Sequence, residues 1–321
     1  MRIGLLPALG GGIRALAQSG QQSRLIDGYF RPYLETFDGL LTDTASTSSL
    51  IALAAAREAA GLEAAALGLA ARPELGQPRV YASTEAHSSI EKAAMTLGLG
   101  RAGVVRIPAD DEYRMPVDAL IEAIAADRGA GCRPIAIVAT LGTTSSTAVD
   151  PVGAIANVAS AEGLWLHVDA AYAGPAALLP EKQPLFEGWE RADSIVVNPH
   201  KWLWAPLDAS LLLTRRMADL RAAFSLVPEY LRTLDRSAPV RDVNEYTPQL
   251  GRRFRALKLW LMLRWFGLEG IRRRLRQHIE QAAAFAGWID DDAESYKQAV
   301  IEPGRAKIGR ASCRERVSFL V

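Results

Sequence analysis

The sequence predicts an α/β fold in which helices cover a mostly parallel β-sheet. Short apolar runs alternate with helix-length segments between residues 50 and 214, which is the spacing of consecutive βαβ units. Two of the apolar runs end in polar residues, His167-Val168-Asp169 and Asn198-Pro199-His200-Lys201, as strands do where an α/β sheet carries its chemistry. The 321 residues are 49% hydrophobic, which is enough to form a large buried core.

Each element follows from the spacing of its apolar residues. Short continuous apolar runs indicate buried strands, and longer segments with apolar residues three or four positions apart indicate helices. A long helix is expected over 250–265, and after a break at Gly267 a second, basic helix is expected over 269–286. The other predicted elements are, in order, helix 50–60, strand 79–83, helix 88–97, strand 104–107, helix 117–128, strand 134–140, helix 151–162, and strands 164–169, 194–198 and 210–214.

The composition argues against nucleic-acid and membrane partners. The net charge is +1, and arginine clusters at 252–255 and 272–276 are interpreted as solvated helix faces and subunit contacts. The first 20 residues are too short and too interrupted by glycine to form a membrane-spanning helix. The only cysteines, Cys132 and Cys313, provide neither a disulfide framework nor a zinc site, so we expect no metal and a cytoplasmic location.

Asp169 and Lys201 are the strongest candidates for chemistry. An acid at one strand end and a lysine near the next suit pyridoxal 5'-phosphate, which needs an amine for a Schiff base and an anion beside its ring nitrogen. A lysine in an apolar and aromatic setting loses its proton more readily. A carboxylate at the end of an apolar strand is costly to bury unless a cation pairs with it. The alternatives are a surface lysine and an aspartate that caps the following turn.

A phosphate site is predicted where the first helix begins. Thr44-Ala45-Ser46-Thr47 combines small hydroxyl residues with the free N–H groups of a helix amino terminus, so we assign Ala45 and Ser46 to the phosphate. A serine- and threonine-rich helix cap also forms without a ligand. The neighbouring Asp43 would repel a phosphate unless its carboxylate points away.

These segments resemble the group II pyridoxal-phosphate-dependent decarboxylases, specifically the aromatic-L-amino-acid decarboxylase type. Tyr172 and Trp202 favour that branch over the glutamate decarboxylases. The resemblance implies the type I pyridoxal-phosphate-dependent (aspartate-aminotransferase-like) fold, a homodimer with sites at the subunit interface, and decarboxylation of an aromatic L-amino acid to its amine. It extends from about 37 to about 289, through Thr44-Ala45-Ser46, Ala86-His87-Ser88-Ser89, Ala139-Thr140-Leu141-Gly142-Thr143-Thr144 and Leu250-Gly251-Arg252-Arg253-Phe254-Arg255.

The resemblance also implies roles for individual residues. His87 would stack on one face of the cofactor ring with Ala171 against the other, Thr144 would lie near the ring hydroxyl, and Asn198 and His200 would contact the phosphate. Tyr246, on a loop before the arginine-rich motif, would return a proton to the substrate carbon, acting on the partner subunit's cofactor. The alternatives are a helix-capping role for His87 and simple packing for Tyr246.

The two ends of the chain are expected to depart from the family. We predict an atypical segment over 1–36, a cofactor-binding large domain over 37–265, a helix leading into a truncated small domain over 266–307, and a foreign, adapter-derived tail over 308–321, with a natural basic tail as the alternative. Two other functions stay open, the first if Tyr246 does not reach the substrate carbon and the second because of these chain ends. One is an aromatic aldehyde synthase-like enzyme, and the other is a non-catalytic fragment that binds the cofactor weakly.

Overall fold

A computed structural model describes residues 37–226 and 243–291, so the predicted segments 1–36 and 308–321 and the residue Cys313 lie outside it. The described residues form a seven-stranded sheet in the order β1-β7-β6-β5-β4-β2-β3. Strands β3, β2, β4, β5 and β6 pair in parallel, and β7 runs antiparallel to both of its neighbours. The prediction of a mostly parallel sheet is confirmed. The strands are β1 Asp38–Thr42, β2 Pro78–Ser83, β3 Val104–Ile107, β4 Arg133–Thr140, β5 Trp165–Asp169, β6 Ser194–Val197 and β7 Ser210–Thr214.

Helices cover both faces of the sheet. One face carries α1, α3 and α6 over a core that includes Ile51, Ile90 and Leu220, and the other carries α4, α5 and α7 over a core that includes Ile124 and Ile155. Side chains of a strand alternate between the two faces, so each helix layer meets its own apolar surface. The helices are α1 Ala45–Ala59, α2 Ala64–Leu67, α3 Ser89–Thr96, α4 Val117–Gly129, α5 Val152–Glu162, α6 Met217–Phe224 and α7 Arg255–Asp291.

The last helix differs from its prediction at one end and agrees with it in the middle. Helix α7 is interrupted at Gly267, where φ is 63°, at the predicted break. However, it begins at Arg255 and not at residue 250. The guanidinium of Arg252 donates to the carbonyl of Leu41 and to the Thr247 hydroxyl, which holds this stretch against β1 in a non-helical conformation.

The parallel strands bring their polar carboxyl ends to one edge of the sheet. In register, Thr140 at the end of β4 lies beside Asp169 at the end of β5, which in turn lies beside Val196. The amino terminus of α1 lies at the same edge. None of the helices in the described part of the chain is both long enough and apolar enough to cross a membrane.

Candidate active site at the ends of strands β4 to β6

A cavity of about 190 Å³ lies at this edge of the sheet. The fold brings to it every residue predicted to bind the cofactor, from separate segments of the chain. These are Ala45, Ser46, His87, Thr144, Asp169, Ala171, Asn198, His200 and Lys201. Thr44, Thr140, Gly142 and Tyr172 complete the lining and were not assigned from the sequence.

Two larger hollows lack this combination of groups. One, of about 780 Å³, lies at the opposite, amino ends of β4 and β5, and two of its arginines donate to carbonyls at helix carboxyl ends. Arg128, for example, donates to the carbonyl and the carboxylate of Glu162. The other, of about 880 Å³, is an open groove beside residues 111–114. Neither is lined by a lysine, so the smaller cavity is the candidate site.

Asp169 carries the acidic group of the cavity. It is the last residue of β5, is only 6% exposed, and its Oδ1 accepts the backbone N–H of Ala171 at 3.1 Å. No lysine, arginine or histidine among the described residues forms an ion pair with it. A buried carboxylate is stable only with a compensating cation or donor, and a protonated pyridine nitrogen provides both.

Two buried polar atoms of the cavity lack hydrogen-bond partners in the described part of the chain, the Oγ1 of Thr140 and the Oδ1 of Asn198. Buried polar atoms are nearly always paired in folded proteins, so unpaired ones in a cavity require a partner there, which is either water or a ligand. The Thr140 hydroxyl can donate or accept, and an asparagine amide can present its N–H₂ or its oxygen. Both groups fit a phosphorylated, hydroxylated ring such as pyridoxal phosphate.

The amino terminus of α1 forms the anion-binding end of the cavity. Thr44 caps the helix and accepts the N–H of Thr47 at 3.4 Å, while Thr44, Ala45 and Ser46 line the cavity. Free N–H groups and the helix dipole favour a phosphate here. Asp43 is not part of the lining, because its Oδ1 accepts the N–H of Thr44 at 2.7 Å. Burial opposes ionisation of Asp43, but hydrogen bonds from Thr47 and Thr44 keep its pKa below the ordinary value.

His200 presents a donor to the cavity. Its Nδ1 accepts the N–H of Ala209 at 2.8 Å, so in the neutral ring the proton is on Nε2. Burial, followed by the neighbouring Lys201, lowers the pKa of His200, which favours this neutral form. Asp208, next to Ala209, makes a bidentate pair with Arg255 at 2.9 and 3.1 Å, so the first residue of α7 holds the loop that follows Lys201.

Two further predicted ligands lie at the rim of the cavity. Lys201 and His87 are both exposed in the single chain. The Nδ1 of His87 accepts the N–H of Ser89, the first residue of α3, at 3.1 Å. The capping role and the cavity position proposed for His87 are therefore compatible. Tyr172 stacks on Trp202, with ring centroids 5.3 Å apart and planes at 4°, and adds an aromatic surface to the cavity.

Tyr246 lies away from the cavity. It ends a short 3₁₀ turn, Val243–Tyr246, and packs against the apolar core on the α1 face of the sheet. It does not line the cavity of its own chain. The packing alternative describes its position here, and its predicted role as a proton donor depends on a second subunit.

Comparison with known proteins agrees with the family resemblance of the sequence motifs. Residues 30–307 match the family described as "Pyridoxal-dependent decarboxylase conserved domain", a longer region than the 37–289 expected from the motifs. Aromatic-L-amino-acid decarboxylase of Bos taurus is 41% identical over 261 residues, which is 79% of this chain and 52% of the relative. Tryptophan decarboxylase 1 of Oryza sativa subsp. japonica is 39% identical over 80% of this chain and 50% of the relative. Phenylacetaldehyde synthase of Arabidopsis thaliana is 37% identical over 79% and 51%.

Solved structures agree in fold. The crystal structure of Oryza sativa TDC with PLP and tryptamine superposes with a TM-score of 0.73 at 38% identity, covering 87% of this chain and 56% of that one. Mouse CSAD gives a TM-score of 0.70 at 34% identity, covering 92% and 57%. The chain thus has the type I fold of these proteins and spans about half the length of the relatives it matches.

Proposed function

Because this chain belongs to the pyridoxal-dependent decarboxylase family, we propose that it binds pyridoxal phosphate and removes the α-carboxyl group of an aromatic L-amino acid, releasing the amine and carbon dioxide. The observation that carries the proposal is a cavity that holds both Asp169, a buried carboxylate that forms no ion pair with any of the described residues, and a lysine, Lys201. A structural ion pair explains the burial of an acid in many proteins, but Asp169 forms none among the described residues and shares its cavity with a lysine.

Each side chain has a task in the proposal. The cofactor supplies an electron sink for the bond pair released at the substrate's α-carbon. Asp169 would keep the ring nitrogen protonated, and Lys201 would provide the amine that holds the cofactor. The α1 amides with Ser46, Asn198 and the Nε2–H of His200 would bind the phosphate. The remaining ligands, His87, Ala171 and Thr144, would hold the ring in place.

An aromatic substrate fits the lining. Tyr172 presents a ring braced by its stack on Trp202, and the Trp202 Nε1–H donates to His278 on α7 at 3.3 Å, which fixes the pair. The named relatives that act on aromatic amino acids support the same class.

A homodimer is part of the proposal. The cavity of one chain, about 190 Å³, is smaller than the roughly 300–1,000 Å³ of typical ligand pockets, and it would have to hold both cofactor and substrate. Lys201 and His87 are exposed in the single chain. A second copy that covers them would add walls to the cavity and exclude water from it.

Borohydride trapping tests the cofactor site. Purified chain with pyridoxal phosphate should develop a visible absorbance band, and reduction should fix the cofactor on Lys201, as mapped by mass spectrometry. Lys201→Ala should lose both signals, and Lys92→Ala, an exposed lysine on α3, should keep them. Labelling spread over several lysines, or none, would refute the site and favour a non-catalytic fragment.

Product analysis separates decarboxylation from aldehyde formation. The similarity to phenylacetaldehyde synthase makes the second reaction the main alternative. Carbon dioxide and an amine in equal amounts would support decarboxylation, whereas ammonia and hydrogen peroxide accompanying an aldehyde would support the alternative. Tyrosine, tryptophan, phenylalanine and dihydroxyphenylalanine should be assayed in parallel, with alanine as the non-aromatic control.

Mixing two inactive variants tests Tyr246. If Tyr246 acts on the partner subunit's cavity, Tyr246→Phe and Lys201→Ala chains should each be impaired, and a co-refolded mixture should regain up to a quarter of the native activity in heterodimers with one intact site, a rough statistical limit for C₂ dimers. A mixture no more active than its components would leave Tyr246 with a packing role.

A further inference from the structure

Six fully buried polar side chains tie helix α1 to four strands of the sheet. Ser48 Oγ lies 2.7 Å from Thr42 Oγ1 on β1 and 2.9 Å from Ser210 Oγ on β7. Ser49 Oγ lies 3.1 Å from the Nε2 of His167 on β5, whose Nδ1 lies 2.8 Å from Ser194 Oγ on β6. All six are 0% exposed. We call Ser49, His167 and Ser194 the histidine link.

A fourth residue contributes to the histidine link. Trp165 Nε1–H donates to Ser194 Oγ at 2.9 Å. The Ser194 hydroxyl keeps its own proton to donate, so we assign it as the donor to His167 Nδ1, with the proton of the neutral ring on Nε2 and donated to Ser49 Oγ. Burial lowers the pKa of His167 to about 4, so the ring is neutral at physiological pH and each of its nitrogens has one partner.

The histidine link connects the two ends of the candidate site. His167 is two residues before Asp169 and on the same face of β5, because side chains alternate along a strand. Ser49 belongs to the helix whose first residues, Ala45 and Ser46, line the anion-binding end. The ring of His167 therefore spans the strand that carries the acid and the helix that carries the phosphate site.

Helix α1 could pack on the sheet without these polar side chains. The rest of the buried face of α1 is apolar, with Ile51, Leu53 and Ala55 at or near 0% exposure. Hydrogen bonds in a buried network add direction and register to a contact that apolar side chains leave free to slide. Such a restraint matters most where protein groups at a fixed distance from each other must contact two ends of one ligand.

We propose that His167 is a positioning residue that holds the amino terminus of α1 at a set distance from Asp169, so that the cavity is preformed for a ligand with a phosphate at one end and a protonated ring nitrogen at the other. This inference rests on the proposed function. It assigns His167 no contact with the cofactor. Its loss should weaken the contribution of the phosphate to binding and leave the contribution of the ring nearly unchanged.

The test compares dissociation constants of pyridoxal phosphate and of pyridoxal, which lacks the phosphate. In the native chain the phosphate should confer a large preference. His167→Leu, which removes both nitrogens, and Ser49→Ala, which removes one acceptor with little change in volume, should each reduce that preference about tenfold, equivalent to about 1.4 kcal/mol. Pyridoxal itself should bind as before, and His167→Gln should recover part of the preference.

Thr214→Val is the matched control. Thr214 is also a fully buried hydroxyl, donating to the carbonyl of Asp193 at 2.8 Å, but it lies at the far end of β7. It should lower stability and leave the ligand preference intact. A preference retained in Ser49→Ala and His167→Leu, or both ligands weakened by the same factor, would overturn the inference alone. A native chain that does not prefer pyridoxal phosphate would overturn the proposed function and this inference with it.

Discussion

Replacing Asp150 by asparagine should change how the stability of the chain depends on pH. Asp150 is 1% exposed, and its two oxygens accept the backbone N–H groups of Thr140 and Met115, each at 2.7 Å. Burial nevertheless dominates and raises the pKa of Asp150 from 3.8 to about 6. The folded chain therefore holds this proton more tightly than the unfolded chain does, so the stability that Asp150 contributes is fully present below pH 3.8 and is lost as the pH rises through about 6.

The magnitude follows from the two pKa values. One pH unit corresponds to about 1.4 kcal/mol, so Asp150 makes the native chain less stable at pH 7 than at pH 4 by about 2 to 3 kcal/mol. Asparagine does not titrate, and it leaves one of the two N–H groups facing a donor, which costs roughly 1–3 kcal/mol at every pH. The variant should be clearly less stable than the native chain at pH 4 and about equally stable at pH 7.

His167 provides a matched variant of opposite sign. The pKa of this ring falls from 6.5 to about 4 on burial, so the unfolded chain takes up the proton first, and acidification from pH 7 to pH 4 removes about 3 kcal/mol of stability. In His167→Gln that loss disappears. Relative to the native chain, this variant should gain stability towards pH 4, while Asp150→Asn gains towards pH 7.

Urea unfolding followed by tryptophan fluorescence at pH 4, 5, 6 and 7 measures both effects. The comparison requires equal m-values, the slopes of unfolding free energy against urea concentration, for the three proteins. Subtracting the native values removes the contribution of every other titrating group. Two difference curves that slope in opposite directions confirm the reasoning. If the difference in stability between each variant and the native chain did not change with pH, the reasoning would be refuted, because neither buried group would then change its proton affinity on folding.

Three further predictions concern the site and its support. Gly142→Ala should destabilise the chain by roughly 1–3 kcal/mol, because φ is +86° at this position and the added carbon would lie 2.7 Å from the Cβ of Ala173. Thermal unfolding should show the loss of stability, and an absorbance titration should show weaker cofactor binding. Gly129→Ala, with open space around it, is the control. Asp208→Asn should lower the free energy of unfolding by about 1 kcal/mol at pH 7 after allowing for solvent screening, because pairing with Arg255 lowers the pKa of Asp208 to about 2. In acid unfolding curves, the difference from the native chain should vanish as the pH falls from 4 towards 2. Asp169→Asn should weaken pyridoxal phosphate binding in the absorbance titration and should prevent carbon dioxide release, while near-ultraviolet circular dichroism of the fold stays unchanged.

The residues that the sequence groups into a candidate cofactor site line one cavity, because the positions of several of them depend on local rules. An apolar run that ends in polar residues marks the carboxyl end of a parallel strand, and parallel strands end at one edge of the sheet. Asp169 and Lys201 were placed by this rule, and Ala45 and Ser46 by the capping pattern at the start of a helix. Gly142 was within reach of the same reasoning, since a glycine directly after a strand indicates a turn with positive φ.

Long-range pairing accounts for what the sequence did not predict. Nothing in the run Ser210–Thr214 indicates that β7 is antiparallel to its neighbours, and the short β1, which contains a glycine, is a strand only because β7 offers it an edge. The late start of α7 has the same origin, because Arg252 reaches the carbonyl of Leu41, far away in sequence. Tertiary contacts override local propensity at these places.

The polar interior separates the scaffold from the site. Most buried polar groups of the sheet, including His167, Ser194 and Asp150, have hydrogen-bond partners within the described chain, and their burial cost is offset there. Thr140 Oγ1 and Asn198 Oδ1, by contrast, have none in the described residues, and both face the cavity. A ligand bound in the cavity would offset this cost. Since Thr140 is held by Asp150 and adjoins Asp169 in register, the satisfied groups fix the positions of the unsatisfied ones. A scaffold of this kind arranges its binding groups before the ligand arrives, which lowers the entropy that binding must overcome.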